Sequence, residues 1–411
     1  MNCFVSHLES AIDGTRLAAG AIQSTHQDRP LWVRYDLSAA GRACDAARLS
    51  RRPPGMWRYR ELLPLPADVE PVSLGETMTP LLPVPRLGES VGLRDLWIKD
   101  ESRLPTGSFK SRGMVMAVSM AVHFGLRRFA VPTAGNAGGA LAAYGARAGA
   151  DVHVFMPDDT PVVNQIECVQ AGAKTFLVNG LIGDCGRIVR EGKSSTGWFD
   201  FSTLKEPYRI EGKKTMGLEL ADQLDWKLPD VILYPTGGGT GLIGMWKAFG
   251  ELRELGWLRS ETMPRMVAVQ SDGCAPIVRA FDRGERFAEP WSNAVTCASG
   301  LRVPSAIGDF MMLDAIRESR GCAVAVPEGR IVEAMNRSIA ATGLPICPES
   351  AACVLAAEQL VKSQWLRPDD RVVLFNTAAA QKYATELPRS PSRRIDIRAP
   401  IDYTAIVAAN S

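Results

Sequence analysis

Neither sign of charge dominates this sequence, and no long apolar run occurs in it. Its 411 residues include 47 basic and 45 acidic side chains, which gives a formal net charge of +2. This balance offers no electrostatic signature of binding to nucleic acid or to an anionic membrane. No stretch of about 20 consecutive apolar residues is present, so we expect no membrane span. Met1 to Gly14 carries His7, Glu9 and Asp13 and is not expected to be a secretory signal.

Paired cysteines are also lacking. The nine cysteines are scattered and none belongs to a CxxC pair, so neither a disulfide framework nor a tetrahedral zinc site is expected. Cys3, His7 and His26 lie in one region but are too few for a zinc site, and we predict no metal. Reduced, mostly buried thiols in a cytoplasmic enzyme are the expectation.

The length suggests two or three domains, at roughly 150 residues per domain. Residues 1–64 are interpreted as an irregular arm. They include a basic, proline-bearing stretch, Arg48 to Pro54, which is compatible with a disordered linker or a packed arm. The tryptophans and tyrosines nearby favour an arm that buries something. A second basic stretch, Arg389 to Arg398, is interpreted as a solvated tail.

Beyond the arm, short apolar strands alternate with helices. This alternation is typical of parallel sheets covered by helices on both faces, with a site in the cleft at the carboxyl ends of the strands. The predicted class is α/β, with two three-layer domains separated by an irregular connection at residues 198–214. Predicted strands are Leu96–Lys99, Phe129–Pro132, Val152–Met156, Thr175–Val178, Val231–Tyr234, Met266–Gln270, Ala323–Val326 and Val372–Phe375. Predicted helices include Gly107–Phe124, Ala137–Ala150, Val162–Ala171, Ile182–Glu191 and Leu242–Gly250, with Ser108 as the N-cap of the first.

The first of three strand-to-helix junctions that suggest chemistry is Pro105 to Lys110. Lys110 stands in the first turn of a predicted helix, where the helix dipole disfavours a cation. That location should lower the pKa of the amine, which is what a Schiff-base lysine needs. Taken alone, a lysine at this position is more simply interpreted as a surface lysine on an amphipathic helix, and the flanking Thr-Gly-Ser-Phe favours the functional interpretation.

The other two junctions are rich in small residues. Thr133 to Gly139 follows a strand and opens a helix, so its N–H groups suit a carboxylate, and Asn136 can bind an oxygen. Thr236 to Gly241 presents several N–H groups to a phosphate. Either segment alone is also compatible with an ordinary turn. An amine, an oxygen and carboxylate site and a phosphate cradle together fit pyridoxal 5'-phosphate (PLP).

Several motifs of the sequence resemble those of a known family. It resembles the fold-type II PLP enzymes of the tryptophan synthase β-like family, and within that family the threonine synthases. The resemblance extends from about Arg34 to Tyr383. The motifs that carry it are Val72–Leu82 (VSLGETMTPLL), Lys99–Glu101, Pro105–Gly113 (PTGSFKSRG), Thr133–Gly139, Pro207–Thr215 (PYRIEGKKT), Thr236–Gly241 and Phe375–Thr377.

The resemblance implies a role for each matching residue. Lys110 would be the Schiff-base lysine, Asn136 would hold the PLP ring oxygen, and Thr377 would meet the pyridine nitrogen. A neutral hydroxyl there suits elimination and replacement better than racemisation. The cofactor phosphate would bind Gly237, Gly238, Gly239 and Thr240, the substrate carboxylate would bind Thr133, Ala134, Gly135 and Asn136, and a substrate phosphate would bind Thr106, Ser108 and Arg209.

The implied reaction is a β,γ-replacement that converts O-phospho-L-homoserine and water into L-threonine and phosphate. Lys110 would remove and return protons in a closed, dry site. The implied organisation is a large PLP-binding domain of residues 65–114 and 205–411, a small domain of residues 115–204, and a homodimer with no nucleic-acid or membrane partner.

The sequence also departs from the family pattern. Ala378 to Ala380 stand where relatives often carry glycines, and Glu76 stands where a second glycine is usual. These departures leave open another PLP enzyme, such as a cysteate synthase or a threonine or serine dehydratase. A non-catalytic paralogue that binds PLP or an amino acid is a further alternative, which the presence of Lys110 disfavours.

A nicotinamide-dependent dehydrogenase is another alternative, since Gly239, Gly241 and Gly244 match GxGxxG. It requires an acidic residue about 20 positions onward, at the end of the next strand. That strand ends at Gln270 and is followed by Asp272, which lies too far along the chain, and Lys110 would be left unexplained.

Overall fold

The computed structural model describes residues 3–384, together with Ile395 and Arg398. The rest of the basic stretch from Arg389 to Arg398 lies outside the described residues. In chain order the strands are β1 Val5–Ser10, β2 Arg16–Leu17, β3 Leu31–Tyr35, β4 Leu81–Pro83, β5 Asp95–Asp100, β6 Arg128–Pro132, β7 Asp151–Pro157, β8 Lys174–Val178, β9 Phe199–Asp200, β10 Val231–Pro235, β11 Arg265–Ser271, β12 Cys322–Val326 and β13 Arg371–Asn376. The helices are α1 Leu37–Ala43, α2 Ala46–Leu49, α3 Pro85–Val91, α4 Lys110–His123, α5 Asn136–Arg147, α6 Val162–Gln170, α7 Ile182–Thr196, α8 Tyr208–Gln223, α9 Thr240–Glu254, α10 Pro276–Asp282, α11 Asp309–Glu318, α12 Ile331–Thr342 and α13 Pro348–Lys362.

Two parallel sheets organise the chain. The larger has six strands in the order β12-β11-β10-β13-β5-β4, and only β4 is antiparallel to its neighbour. The smaller has four parallel strands in the order β8-β7-β6-β9. The central strands are apolar along their whole length, as in β10, because helices cover both faces of such a sheet. The predicted α/β class with mostly parallel sheets is confirmed.

The N-terminal segment is more regular than expected. β1, β2 and β3 form an antiparallel sheet in the order β2-β1-β3, so the irregular arm predicted for this region is wrong. Leu8, Leu31 and Val33 are buried and pack in one cluster with apolar residues of α4. These strands were hard to detect because charged residues such as Glu9 and Arg34 alternate with the apolar ones and pair across the sheet.

Helix α8 corrects a second expectation. The irregular connection predicted through residue 214 ends at Tyr208, where a 16-residue helix begins. Most charged residues of this helix are buried, namely Arg209, Glu211, Lys213, Lys214 and Glu219. Gly212 explains the close packing, because a Cβ there would lie 1.9 Å from the Arg112 carbonyl oxygen of α4. Helix α8 therefore lies directly against the helix that begins with Lys110.

Among the described residues, no helix is both long and apolar enough to cross a membrane. The same residues contain no group of three or more His, Cys, Asp or Glu side chains that could hold a metal ion.

Candidate active site

A cavity of about 300 Å³ lies where the carboxyl ends of the two parallel sheets face each other. Residues of the loops that follow β6, β10 and β13 line it, as does the first turn of α4. Of the site residues predicted from the sequence, those lining the cavity are Lys110, Thr133, Ala134, Gly135, Asn136, Arg209, Gly237, Gly238, Gly239, Thr240 and Thr377.

Lys110 is the first residue of α4, and its amine lies 3.9 Å from the centre of the Phe109 ring. Removal from bulk water, and then the nearby charge of Arg209, lower the pKa of this amine to about 7, while the Glu349 carboxylate opposes the shift. An amine with this pKa is largely neutral near physiological pH and can act as a nucleophile or a base.

The loop between β6 and α5 is preorganised by Thr133. Its hydroxyl accepts hydrogen bonds from the N–H groups of Gly135 (3.1 Å) and Gly138 (3.3 Å). Helix α5 begins at Asn136, so its N-terminus faces the cavity. The Asn136 amide donates to the Tyr383 hydroxyl at 3.2 Å and accepts from Asn164 at 3.1 Å. This arrangement suits a carboxylate beside a fixed amide.

The loop between β10 and α9 forms a cradle without side chains. A Cβ on Gly237 would lie 2.2 Å from the Gly300 carbonyl oxygen. Gly239 has a φ of +75°, and a Cβ there would lie 2.1 Å from the Met312 sulfur. The 15-residue helix α9 begins immediately after these glycines. Backbone N–H groups at such a helix start are suited to a phosphate, so this cradle fits the phosphate of PLP.

The cradle can be tested by Gly239→Ala. We expect this change to lower the affinity for PLP by at least about tenfold, because the left-handed backbone and the Met312 contact force the loop to move. Fluorescence titration of the cofactor-free protein with PLP measures the effect. Gly250→Ala, within the helix α9 that follows the loop, is the matched control, since its Cβ would meet nothing within 4 Å. Equal affinities in the two variants would contradict a phosphate role for the loop.

Thr377 follows β13 at the opposite wall of the cavity. Its hydroxyl lies 3.5 Å from the Cys347 sulfur, and its N–H donates to the Ser350 hydroxyl at 3.0 Å. Burial, and then the Glu349 carboxylate, raise the pKa of Cys347 to about 12, so this thiol stays protonated. Thr377 therefore presents a hydroxyl beside a neutral thiol.

The alanine segment after Thr377 has a defined position. Ala378 pairs with Ser108 in an isolated β-bridge, and Ala379 pairs with Ile346. The Ala379 N–H also donates to the Gly107 carbonyl at 3.0 Å. Alanines at these positions are thus accommodated by backbone pairing with the loop that precedes Lys110.

Arg209 is fully buried at the cavity wall. One of its terminal nitrogens donates to the Phe201 carbonyl at 2.7 Å, and its Nε has no hydrogen-bond partner among the described residues. Burial lowers the pKa of the guanidinium, and the charges of Glu206 and Asp200 oppose that shift. Arg190, Lys205 and Asp200 also line the cavity, so Arg209 is not its only charged lining residue.

Two predicted residues lie away from the cavity lining. Ser108 is extended, not the N-cap of α4, and its fully buried hydroxyl has no partner among the described residues. Thr106 has a φ of +63°, and its hydroxyl lies 3.0 Å from that of Ser111. Ser108 forms a β-bridge with Ala378, and neither Ser108 nor Thr106 lines the cavity.

Three buried groups around the site were missed from the sequence. Glu349 and Tyr383 line the cavity and are hydrogen-bonded to each other at 2.8 Å. Lys213 donates to the Phe109 carbonyl, and its amine lies 4.0 Å from the centre of the Phe109 ring. Burial, and then the charge of Lys110, hold the pKa of Lys213 well below its ordinary value. No spacing rule relates these residues to Lys110, because they come from separate elements.

An amine poised as a nucleophile, a fixed amide and a phosphate cradle around one cavity define a PLP-dependent enzyme. In agreement, a family model described as "Pyridoxal-phosphate dependent enzyme" matches residues 72–378. The chain belongs to this family.

Within this family, the chain is similar to curated threonine synthases. The chain is 35% identical over 351 residues to the threonine synthase of Methanosarcina acetivorans, covering 85% of each chain. It is 32% identical over 353 residues to the threonine synthase of Methanocaldococcus jannaschii, covering 86% of each.

Solved structures show the same fold at lower identity. Threonine deaminase isoform 2 from Solanum lycopersicum matches with a TM-score of 0.64 and 18% identity, over 87% of this chain and 90% of that one. Maize serine racemase matches with a TM-score of 0.63 and 19% identity, over 81% of this chain and 91% of that one. Their different activities indicate that the fold alone does not set the substrate.

Proposed function

We propose that the protein is a threonine synthase, which converts O-phospho-L-homoserine and water into L-threonine and phosphate by β,γ-replacement. The threonine synthases at 32–35% identity support this reaction. The observation that carries it in the structure is the buried Arg209, which lines the same cavity as Lys110 and whose Nε has no hydrogen-bond partner among the described residues. The cavity thereby offers three anion-binding places, which match a cofactor phosphate, a substrate carboxylate and a substrate phosphate.

The cofactor would supply an electron-withdrawing ring that stabilises negative charge on the substrate carbons. Lys110 would hold it covalently. In this proposal Asn136 orients the ring oxygen, Thr377 meets the pyridine nitrogen, and residues Gly237, Gly238, Gly239 and Thr240 bind the phosphate. Thr133, Ala134 and Gly135, with Asn136, would bind the substrate carboxylate through the start of α5.

Arg209 would bind the substrate phosphate. We do not assign that role to Thr106 or Ser108, because neither lines the cavity and the Ser108 side chain is fully buried. Arg190 and Lys205, which do line it, are further cations of the cavity wall. Charge-assisted hydrogen bonds from such groups would hold the phosphate until it departs.

Proton transfer by Lys110 sets an expected pH dependence. Only the neutral amine accepts a proton from substrate carbon, and its pKa is about 7. We therefore expect kcat to fall about tenfold per unit as the pH drops below that value. Steady-state rates at saturating substrate, measured across the acid and neutral pH range, give this fall in kcat and the pH at which it begins. Arg209→Gln should move the start of this fall to higher pH, because the Arg209 charge lowers the pKa of Lys110. If the fall begins at the same pH in this variant, another group causes it.

The function is tested by incubating the purified, PLP-loaded protein with O-phospho-L-homoserine. We expect phosphate and threonine to appear in equal amounts. Absence of turnover, with the PLP–lysine absorbance intact, would contradict the proposal. A panel of O-phosphoserine, serine and threonine would then distinguish a cysteate synthase from a dehydratase.

We also propose that the enzyme works as a cytoplasmic homodimer. All nine cysteines are free, which suits a reducing compartment. Light scattering of the purified holoenzyme measures the mass; a value equal to the 44.5 kDa of one chain would contradict the dimer.

A further inference from the structure

The cavity contains a carboxylate with an unused oxygen. Glu349 is 4% exposed and lines the cavity with Lys110. Its Oε2 is buried and accepts no hydrogen bond from any described residue. A buried polar atom without a partner is costly. Its position suggests that a bound molecule supplies the missing donor.

The other oxygen of Glu349 is firmly held. Oε1 accepts hydrogen bonds from the Tyr383 hydroxyl and from the Gly300 N–H, both at 2.8 Å. The Tyr383 hydroxyl in turn accepts from the Asn136 amide at 3.2 Å. Glu349 lies in the first turn of α13, and Tyr383 follows β13. Two separate segments thus fix the carboxylate, while Oε2 is left for a ligand.

The proposed reaction needs a second proton acceptor. Lys110 exchanges protons with substrate carbons, whereas the incoming water must lose a proton as its oxygen bonds to Cβ. A base within hydrogen-bond reach accelerates such a step, typically by 10²–10⁴-fold. Glu349 and Lys110 line the same cavity, and the charge of Glu349 acts on that amine, so one bound substrate can contact both groups.

We propose that Glu349 is the base for the water that adds to the substrate, with Tyr383 as its positioning residue; this inference rests on the proposed function. A lone pair of the water oxygen forms the bond to Cβ, and one O–H bond breaks with its proton passing to Oε2. The electron pair of the substrate's carbon–carbon double bond moves to Cα, which Lys110 protonates. The phosphate departs before this step and takes up one proton from solvent, and Glu349 returns the proton it accepted to solvent after threonine leaves.

The diagnostic variant is Glu349→Gln, which keeps the shape and removes the base. Phosphate should still be released from O-phospho-L-homoserine, while threonine formation falls about 100-fold. The four-carbon substrate that has lost phosphate but gained no water leaves as an enamine. The enamine hydrolyses to 2-oxobutanoate and ammonia. We therefore expect 2-oxobutanoate to replace threonine as the main product. Tyr383→Phe should shift the product ratio in the same direction by a smaller factor.

Glu328→Gln is the matched control. Glu328 also accepts a backbone N–H, from Cys297 at 2.6 Å, and a hydroxyl, from Ser271, but it does not line the cavity. The ratio of 2-oxobutanoate to threonine formed by Glu328→Gln should equal that of the wild type. A cofactor absorbance like the wild type in every variant shows that each protein is folded and loaded.

Equilibrium binding provides a readout that needs no turnover. The Oε2 atom should accept a hydrogen bond from the β-hydroxyl of threonine. The wild-type holoenzyme should then bind L-threonine about tenfold more tightly than L-2-aminobutyrate, which lacks that hydroxyl. In Glu349→Ala the two affinities should become equal. Cofactor absorbance changes on titration give both constants.

The two possible failures are distinguishable. If the wild type releases no phosphate from O-phospho-L-homoserine, the proposed function fails. If the wild type makes threonine and Glu349→Gln still makes threonine and phosphate in equal amounts at an unchanged rate, the role of Glu349 is overturned.

Discussion

Lys110→Ala protein purified with PLP will lack both the absorbance of a covalently held cofactor and turnover of O-phospho-L-homoserine. The reason is that Lys110 would supply the covalent bond and the main proton-transfer group at once. We expect the rate to fall by at least about 1,000-fold. Absorbance spectra and phosphate release measure the two losses separately.

An exposed lysine provides the control for this prediction. Lys193→Ala near the end of α7 should leave both the spectrum and the rate unchanged, because Lys193 does not line the cavity. Turnover retained by Lys110→Ala would overturn the whole mechanism.

Arg112→Met is the second change with a large expected effect. The fully buried Arg112 guanidinium donates to Glu101 at 2.6 and 3.0 Å and to Glu219 at 2.7 and 2.8 Å. Burial acts to raise the pKa of Glu219, but the charges of Arg112 and Lys99 outweigh it and lower the pKa to about 2. Removing Arg112 leaves buried carboxylates undercompensated. We expect the free energy of unfolding to fall by about 3–5 kcal/mol.

Urea denaturation followed by far-ultraviolet circular dichroism measures this loss. Arg94→Met is the control, because Arg94 is 75% exposed and pairs at 2.7 Å with Asp369, which is 76% exposed. An exposed pair contributes less than about 1 kcal/mol. Equal losses in the two variants would show that the buried network does not stabilise the fold.

Local patterns in the sequence predict most of the parallel strands to within one or two residues. Short apolar runs such as Val231–Tyr234 are bounded by polar and turn residues, so their limits are visible. Helix α8 was partly missed because its charges pair with partners from distant segments, as when Lys214 pairs with Glu251 at 2.8 Å. Such pairing is absent from any local window.

In the candidate site, too, residues marked by a local sequence pattern were predicted and residues positioned by distant contacts were not. The amine of Lys110 and the glycine loop were found because a strand-to-helix junction marks each one. Glu349 and Tyr383 carry no such mark, since the residues they contact, Gly300 and Asn136, lie far away along the chain. The position of Ser108 behind the cavity depends on its bridge to Ala378, which no sequence spacing predicts.

The pairing of β5 with β13 has a consequence for how the chain folds. Asp95 and Arg371, which are partners in this ladder, are 276 residues apart. Such a distant pairing is entropically costly to form and slows folding. The small sheet, formed by strands closer together in sequence, can assemble earlier during synthesis. The cavity needs Thr377, just after β13, so the nascent chain acquires its cofactor site only after nearly all of it has left the ribosome.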